Sequence, residues 1–172
     1  MKLKLNLFVA AQVLFAAFLS RTVMAAPPPP ETARQHFVCN TGYTPEKCHA
    51  DVAVLRLTLA NYPMVELGDW TWILVRSEDW KALIQPRGFT MATPAFTYYA
   101  KRETFIEEAL VTEVPARSRE LLLKWNMSRR DLLEFAITHE LGHVFCNDKD
   151  ESNANRVGQL LKEGKTPSCR KP

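Results

Sequence analysis

The sequence predicts a single α+β domain, a short antiparallel or mixed sheet packed on a helical core, behind an N-terminal export leader. Three features carry this expectation. The stretch from Arg129 to Cys146 has the broad apolar pattern of a long, largely covered helix. The run from Trp70 to Val75 is aromatic and β-branched, as strands are. Short extended segments follow between Phe89 and Ile106, just upstream of that long helix.

Lys2 and Lys4 precede an apolar run from Leu5 to Leu19, and Val23-Met24-Ala25 closes it with residues a signal peptidase would read. Residues 1–25 are therefore expected to be a signal peptide. Asn6 and Gln12 interrupt the run, which is too short for a spanning helix, so no stable membrane insertion is expected after cleavage. Residues 26–36, with Pro27 to Pro30 in a row, read as an extended linker, and the domain is expected over 37–172.

The leader also explains the charge. The chain holds 22 Lys and Arg against 19 Asp and Glu, but Lys2, Lys4 and Arg21 all lie in the leader, which has no acidic residue. What remains is formally neutral, which argues against a nucleic-acid or anionic-surface partner. Cys39, Cys48, Cys146 and Cys169 all follow the leader, and an even cysteine count in an exported chain implies two disulfides. The pairing expected is Cys39–Cys48, closing a local loop, and Cys146–Cys169, tying the tail to the end of the long helix. Periplasmic or secreted localisation follows.

In chain order, the first ordered piece is expected near Phe37, with Gly42 and Pro45 marking turns in the Cys39–Cys48 loop. From His49 to Tyr62, the residues Val52, Leu55, Leu59 and Tyr62 share one helical face, and Pro63 stops the pattern. After the Trp70–Val75 strand, a short helix runs from Ser77 or Glu78 to Ile84. Phe89–Ala92 and Phe96–Tyr99 read as extended, the second leading through Lys101-Arg102-Glu103 into a strand at Thr104–Ile106. Pro115 opens a helix ending near Asn126. Ser128 and Asp131 form a capping box that starts the long helix.

Within that helix stands His139-Glu140-Leu141-Gly142-His143. Helical residues four apart share a face, so both imidazoles can meet one zinc ion, with Glu140 placed to take a proton from water. The chain has only four histidines, and half of them lie here; His36 and His49 read as surface residues. A catalytic zinc needs a third protein ligand and an open position. Downstream, Ala154, Val157, Leu160 and Leu161 give a second helix one apolar face, and a turn at residues 147–150 would fold it back antiparallel. Glu151 is then the expected third ligand, with Asp148 and Asp150 as alternatives. Asn155, one turn deeper, would hydrogen-bond a liganding imidazole. Gly142 would leave room beside the metal.

The pairing of His139-Glu140-Leu141-Gly142-His143 with Glu151-x-x-Ala154-Asn155 resembles the gluzincin-type zinc metallopeptidases, most closely the ImmA/IrrE-like group. The resemblance covers roughly Gly88 to Leu161. It implies a zincin-like core with a short sheet beside the motif helix, and a third ligand supplied by the Glu-x-x-Ala-Asn segment. The function expected is an exported zinc-dependent peptidase acting on a peptide or protein, with Glu140 as general base. Tyr98, Tyr99 and Arg156 are candidate donors to the transition state. The alternative is a non-catalytic exported zinc-binding structural or adaptor protein.

Overall fold

The computed structural model describes residues 35–62, 68–147 and 149–169. The expected signal peptide at 1–25, most of the Pro-rich linker, and Asp148 lie outside the described residues. The domain is built in the order β1 (Gln35–Cys39), α1 (Pro45–Leu59), β2 (Trp70–Val75), α2 (Ser77–Ile84), β3 (Ala95–Tyr98), β4 (Glu103–Glu107), α3 (Glu108–Val111), α4 (Pro115–Trp125), α5 (Arg129–Cys146) and α6 (Glu151–Lys162). It is a mixed α+β fold.

The strands form one sheet in the order β1-β2-β4-β3. β1, β2 and β4 run parallel, and β3 is added antiparallel at the edge of β4. Alternation along β2 sorts its side chains to two faces. Trp70, Trp72 and Leu74 pack with Leu55 and Leu59 of α1 and with Ile137 and Leu141 of α5 in the main core. Val75 turns to the other face, where Trp80 and Ile84 of α2 and Phe96 of β3 make a smaller cluster. Trp72 and Trp80 are fully buried, so each face is anchored on an indole.

Three expectations need correcting, and one element is new. The first ordered piece, expected near Phe37, is the strand β1 and begins at Gln35, inside the stretch assigned to the linker; its partner β2 lies far along the chain, a pairing that local pattern does not reveal. α1 starts at Pro45 rather than His49, because Thr44 caps it, accepting from the Lys47 N–H, and Pro45 occupies the first turn, where no N–H is needed. Phe89–Ala92 is not a strand; Phe89 leaves the ladder to pack its ring on Phe96 at 5.1 Å. The four-residue helix α3 was not foreseen.

Both disulfides form with the expected pairing, Cys39–Cys48 and Cys146–Cys169. The first joins β1 to α1, and the second joins the end of α5 to the C-terminal tail. Arg117, near the start of α4, donates to both oxygens of the fully buried Glu107 at 2.7 and 2.8 Å. Such a charge is tolerable in the core only because it is paired and hydrogen-bonded. The pair clamps α4 to the end of β4. At the far end of α4, the Trp125 indole N–H donates to the Ala92 carbonyl at 3.0 Å, which fixes that ring beside the cleft described below.

Candidate metal centre

The helix α5 starts at the expected Ser128 cap, with Asp131 paired to it through the hydroxyl. The Asp131 N–H donates to Ser128 Oγ at 3.2 Å, and that hydroxyl donates to the Asp131 carboxylate at 2.7 Å. From there the helix runs unbroken to Cys146, buries Ile137 and Leu141, and presents His139 and His143 together. Their Nε2 atoms are 3.1 Å apart, with the ring planes perpendicular.

The turn into α6 is short, and two residues make it possible. Asn147 takes the left-handed conformation at the C-cap of α5, with φ 48°, as asparagine does more readily than most residues. Asp150 caps α6, accepting from the Ser152 N–H at 2.8 Å and the Asn153 N–H at 3.2 Å. Its carboxylate serves the helix end, so Asp150 is not in the metal cluster.

Small residues then let the two helices touch. A Cβ on Gly142 would lie 2.4 Å from the Ala154 carbonyl oxygen, and one on Gly158 would lie 3.0 Å from the Thr138 backbone. The expectation that Gly142 makes room for the metal is therefore corrected: it makes room for the α6 backbone. This close approach brings Glu151 Oε2 to 3.0 Å from His139 Nε2 and 3.6 Å from His143 Nε2.

His139, His143 and Glu151 converge as a donor set that could hold a metal ion. The fit can be tested by geometry. Zinc bonds of about 2.0 to 2.1 Å directed tetrahedrally put neighbouring ligand atoms about 3.3 Å apart. The three observed separations, 3.0, 3.1 and 3.6 Å, bracket that edge. Two imidazoles and a carboxylate also match the donor chemistry of a borderline divalent cation. Asn155 Oδ1 lies 2.9 Å from His139 Nδ1. An amide oxygen can only accept, so it selects the tautomer with the proton on Nδ1 and leaves the Nε2 lone pair facing the cluster. His143 is buried, His139 is half-buried, and the Glu151 side chain is 74% exposed. The cluster is thus open to solvent on the α6 side. Cys146 is held in its disulfide and takes no part.

No family model, curated protein or solved structure matches this chain.

Glu140 is turned inward and buried. Loss of solvent pushes its carboxyl up to about 7, against smaller lowering effects from His139 and from a hydrogen bond with Thr97; the charge of Glu151 adds to the rise. It borders a cleft of about 750 Å³ that runs between β3 and α5 past the two histidines and Glu151. Much of the wall is aromatic, from Phe96 on β3 to Trp125 and Phe135. Phe135, one helical turn before His139, packs its ring 5.9 Å from that imidazole.

The two tyrosines behave differently. Tyr98 is exposed on the rim, while Tyr99 is half-buried and sets its ring edge-on to His143 at 6.1 Å. Both line the cleft. Arg156 does not; it donates to Asn153 Oδ1 at 2.7 Å and to the Ser168 carbonyl, tying the tail to α6. Its guanidinium is directed at Asn153 and the tail and does not line the cleft. Thr97 and Phe135 were not singled out from sequence. A threonine two residues after Ala95 on a strand facing the motif helix was the available signal for Thr97, and the i, i+4 spacing to His139 was the signal for Phe135.

Proposed function

We propose that the protein is an exported, zinc-dependent peptidase of gluzincin-like design. The observation that carries this reading is the convergence of His139, His143 and Glu151 at zinc-like spacing, with the buried Glu140 carboxyl beside them and a cleft alongside. A structural zinc usually takes four protein ligands and needs no neighbouring base; among the described residues this cluster has three.

Zinc bound there would supply Lewis acidity, polarising a peptide carbonyl and making water more acidic. The chain's own groups do the rest. Glu140, with a carboxyl poised near neutral pH, accepts a proton from the attacking water and delivers it to the leaving amine. Asn155 holds His139 in the tautomer that keeps Nε2 free to bind. Tyr99, its ring edge-on to His143 on the cleft wall, is the first candidate to stabilise the developing oxyanion. Tyr98 is the second candidate.

The substrate is an extended peptide segment. β3 is an edge strand whose four residues all line the cleft, and an edge strand offers main-chain groups for an added strand. The aromatic wall beyond His139 favours an apolar side chain next to the scissile bond. Export is supported by the leader pattern and by two disulfides, which persist in oxidising compartments.

The test is metal analysis of the wild-type and Glu140→Gln proteins together with a peptide-library cleavage assay. Zinc in both, with cleavage in the wild type only, is the expected result. A folded wild type that takes up no zinc overturns the metal centre. Zinc without cleavage in either protein turns the reading to a structural or adaptor role.

A further inference from the structure

We propose that Lys149 is a specificity residue of the cleft, selecting peptides that carry a carboxylate one or two residues from the scissile bond. The inference rests on the peptidase reading and names the substrate class of that same site.

The cleft changes character along its length. Phe135, His139 and His143 follow one another on α5, and the helix then gives way to the turn at residues 147–150. Phe135 packs 5.9 Å from His139, and Trp125 packs 5.4 Å from Phe135, so the aromatic wall leads away from the donor cluster on one side. Lys149 comes from the turn beyond the other end of the helix and lines the same cleft. A substrate therefore meets aromatic rings, then the metal donors, then an ammonium. Lys149 stands two residues before Glu151, whose carboxylate reaches both histidines. Two residues of chain span at most about 7 Å, and an extended substrate advances about 3.4 Å per residue. The group that Lys149 can meet thus lies within one or two residues of the cluster.

Charge decides what that group is. Among the described residues lining the cleft, Glu140 and Glu151 are the acidic side chains, and Lys149 is the basic one apart from the histidines. A divalent ion in the cluster would balance both carboxylates, which leaves the Lys149 charge facing the substrate. Lys149 is exposed, and no ion pair or hydrogen bond among the described residues occupies its ammonium. Of its neighbours, Asp150 turns its carboxylate to the start of α6 and Glu151 turns to the histidines. A lysine on a solvated turn would be indifferent to substrate. On the wall of a cleft, with no partner inside the chain, it attracts an anion and rejects a cation. An ammonium binds as a point charge, so an Asp or Glu side chain and a free C-terminal carboxylate are both eligible.

The experiment uses the zinc-loaded full chain as wild type, Lys149→Gln, Lys149→Glu and Lys162→Gln, the last an exposed lysine at the end of α6 that controls for net charge. The probes are peptides with a central apolar residue, matched in pairs. One set exchanges Glu for Gln or Lys within two residues of the centre, and the other exchanges a free for an amidated C-terminus. Wild type is expected to favour the carboxylate peptide by about 3- to 30-fold in kcat/KM. The set that shows the preference tells a side-chain carboxylate from a chain terminus. Lys149→Gln abolishes the preference, Lys149→Glu turns it toward the Lys peptide, and Lys162→Gln keeps it, with zinc content the same throughout. Equal cleavage within every pair by wild type, or a preference that survives Lys149→Glu, overturns the proposal. If the wild type cleaves nothing, the peptidase reading falls and Lys149 is judged by binding, read as fluorescence anisotropy of the same peptides carrying a dye. Tighter binding of the carboxylate peptide that is lost in Lys149→Glu upholds its role, and equal binding, or none, overturns it.

Discussion

Gly142 of α5 lies so close to Ala154 of α6 that a single added carbon would stand 2.4 Å from the Ala154 carbonyl oxygen. The obstacle is backbone, which cannot rotate away as a side-chain tip would. Gly142→Ala must therefore push α6 outward, and Glu151 moves with it. The expected outcome is a loss of about 1 to 3 kcal/mol, typical of overpacking, together with weaker zinc binding. Thermal melts and zinc titration check it, with the exposed Leu123→Ala as a control that leaves both unchanged.

Asn155 is expected to matter through His139 rather than through the metal. Asn155→Ala removes the acceptor for the Nδ1 proton, and zinc affinity should fall by roughly 10- to 100-fold. Asn155→Asp keeps an acceptor there and should retain tight binding. Calorimetric zinc titration of the three proteins separates these outcomes.

Chelation should lower the melting temperature without unfolding the chain. The main core of Trp72, Leu55, Ile137 and Leu141 is built without the metal, and two disulfides brace it. Zinc binding only to the folded form adds about 4 kcal/mol at a thousandfold excess over Kd. Near-UV circular dichroism of the chelated protein should keep its tertiary signal, and zinc should restore the lost melting temperature.

In the metal-free protein, Glu140 makes stability fall as pH rises. Its carboxyl is held up to about 7 in the folded chain, against an ordinary value of 4.5. Between those values the folded form keeps a proton that the unfolded form has lost. The penalty is therefore absent below pH 4.5, grows as pH climbs through the interval, and is complete above about 7. Glu140→Gln removes the charge and should be more stable than wild type at pH 8 by roughly 3 kcal/mol, the gap closing in acid. Denaturant melts of both metal-free proteins across that range test the sign.

The Cys146–Cys169 bond should matter more to the site than Cys39–Cys48. Its loop encloses all of α6, including Glu151 and Asn155, whereas the other loop closes β1 onto α1. Paired Cys→Ser replacement at either bridge is expected to cost about 2 to 4 kcal/mol. Only loss of Cys146–Cys169 should also weaken zinc binding, as read by competition with a chelator dye.

Legibility in the sequence followed the range of the interactions involved. Trp70–Val75 and Arg129–Cys146 were readable to the residue because composition and the Ser128–Asp131 cap are local signals. The donors His139, His143 and Glu151 were readable because helical spacing and one short turn fix where they point. Gln35–Cys39 was hidden, since a five-residue strand beside a cysteine loop declares itself only through its distant parallel partner. The true neighbour of Gly142 was hidden for the same reason: a missing side chain records that something approaches, not what. Thr97 lay in a segment correctly read as extended, but its partner Thr104 belongs to another strand.

The Cys146–Cys169 bond removes a sulfur donor from beside the histidine pair. Cys146 sits three residues beyond His143 on the same helix, close enough in sequence for a free thiolate there to compete as a soft donor. Once the bond forms, no free thiol remains among the described cysteines. A chain oxidised before it meets metal presents nitrogen and oxygen alone, while a chain that meets metal first can be captured through sulfur. Were the site to take up metal, closing this bond first would leave thiophilic competitors only nitrogen and oxygen donors.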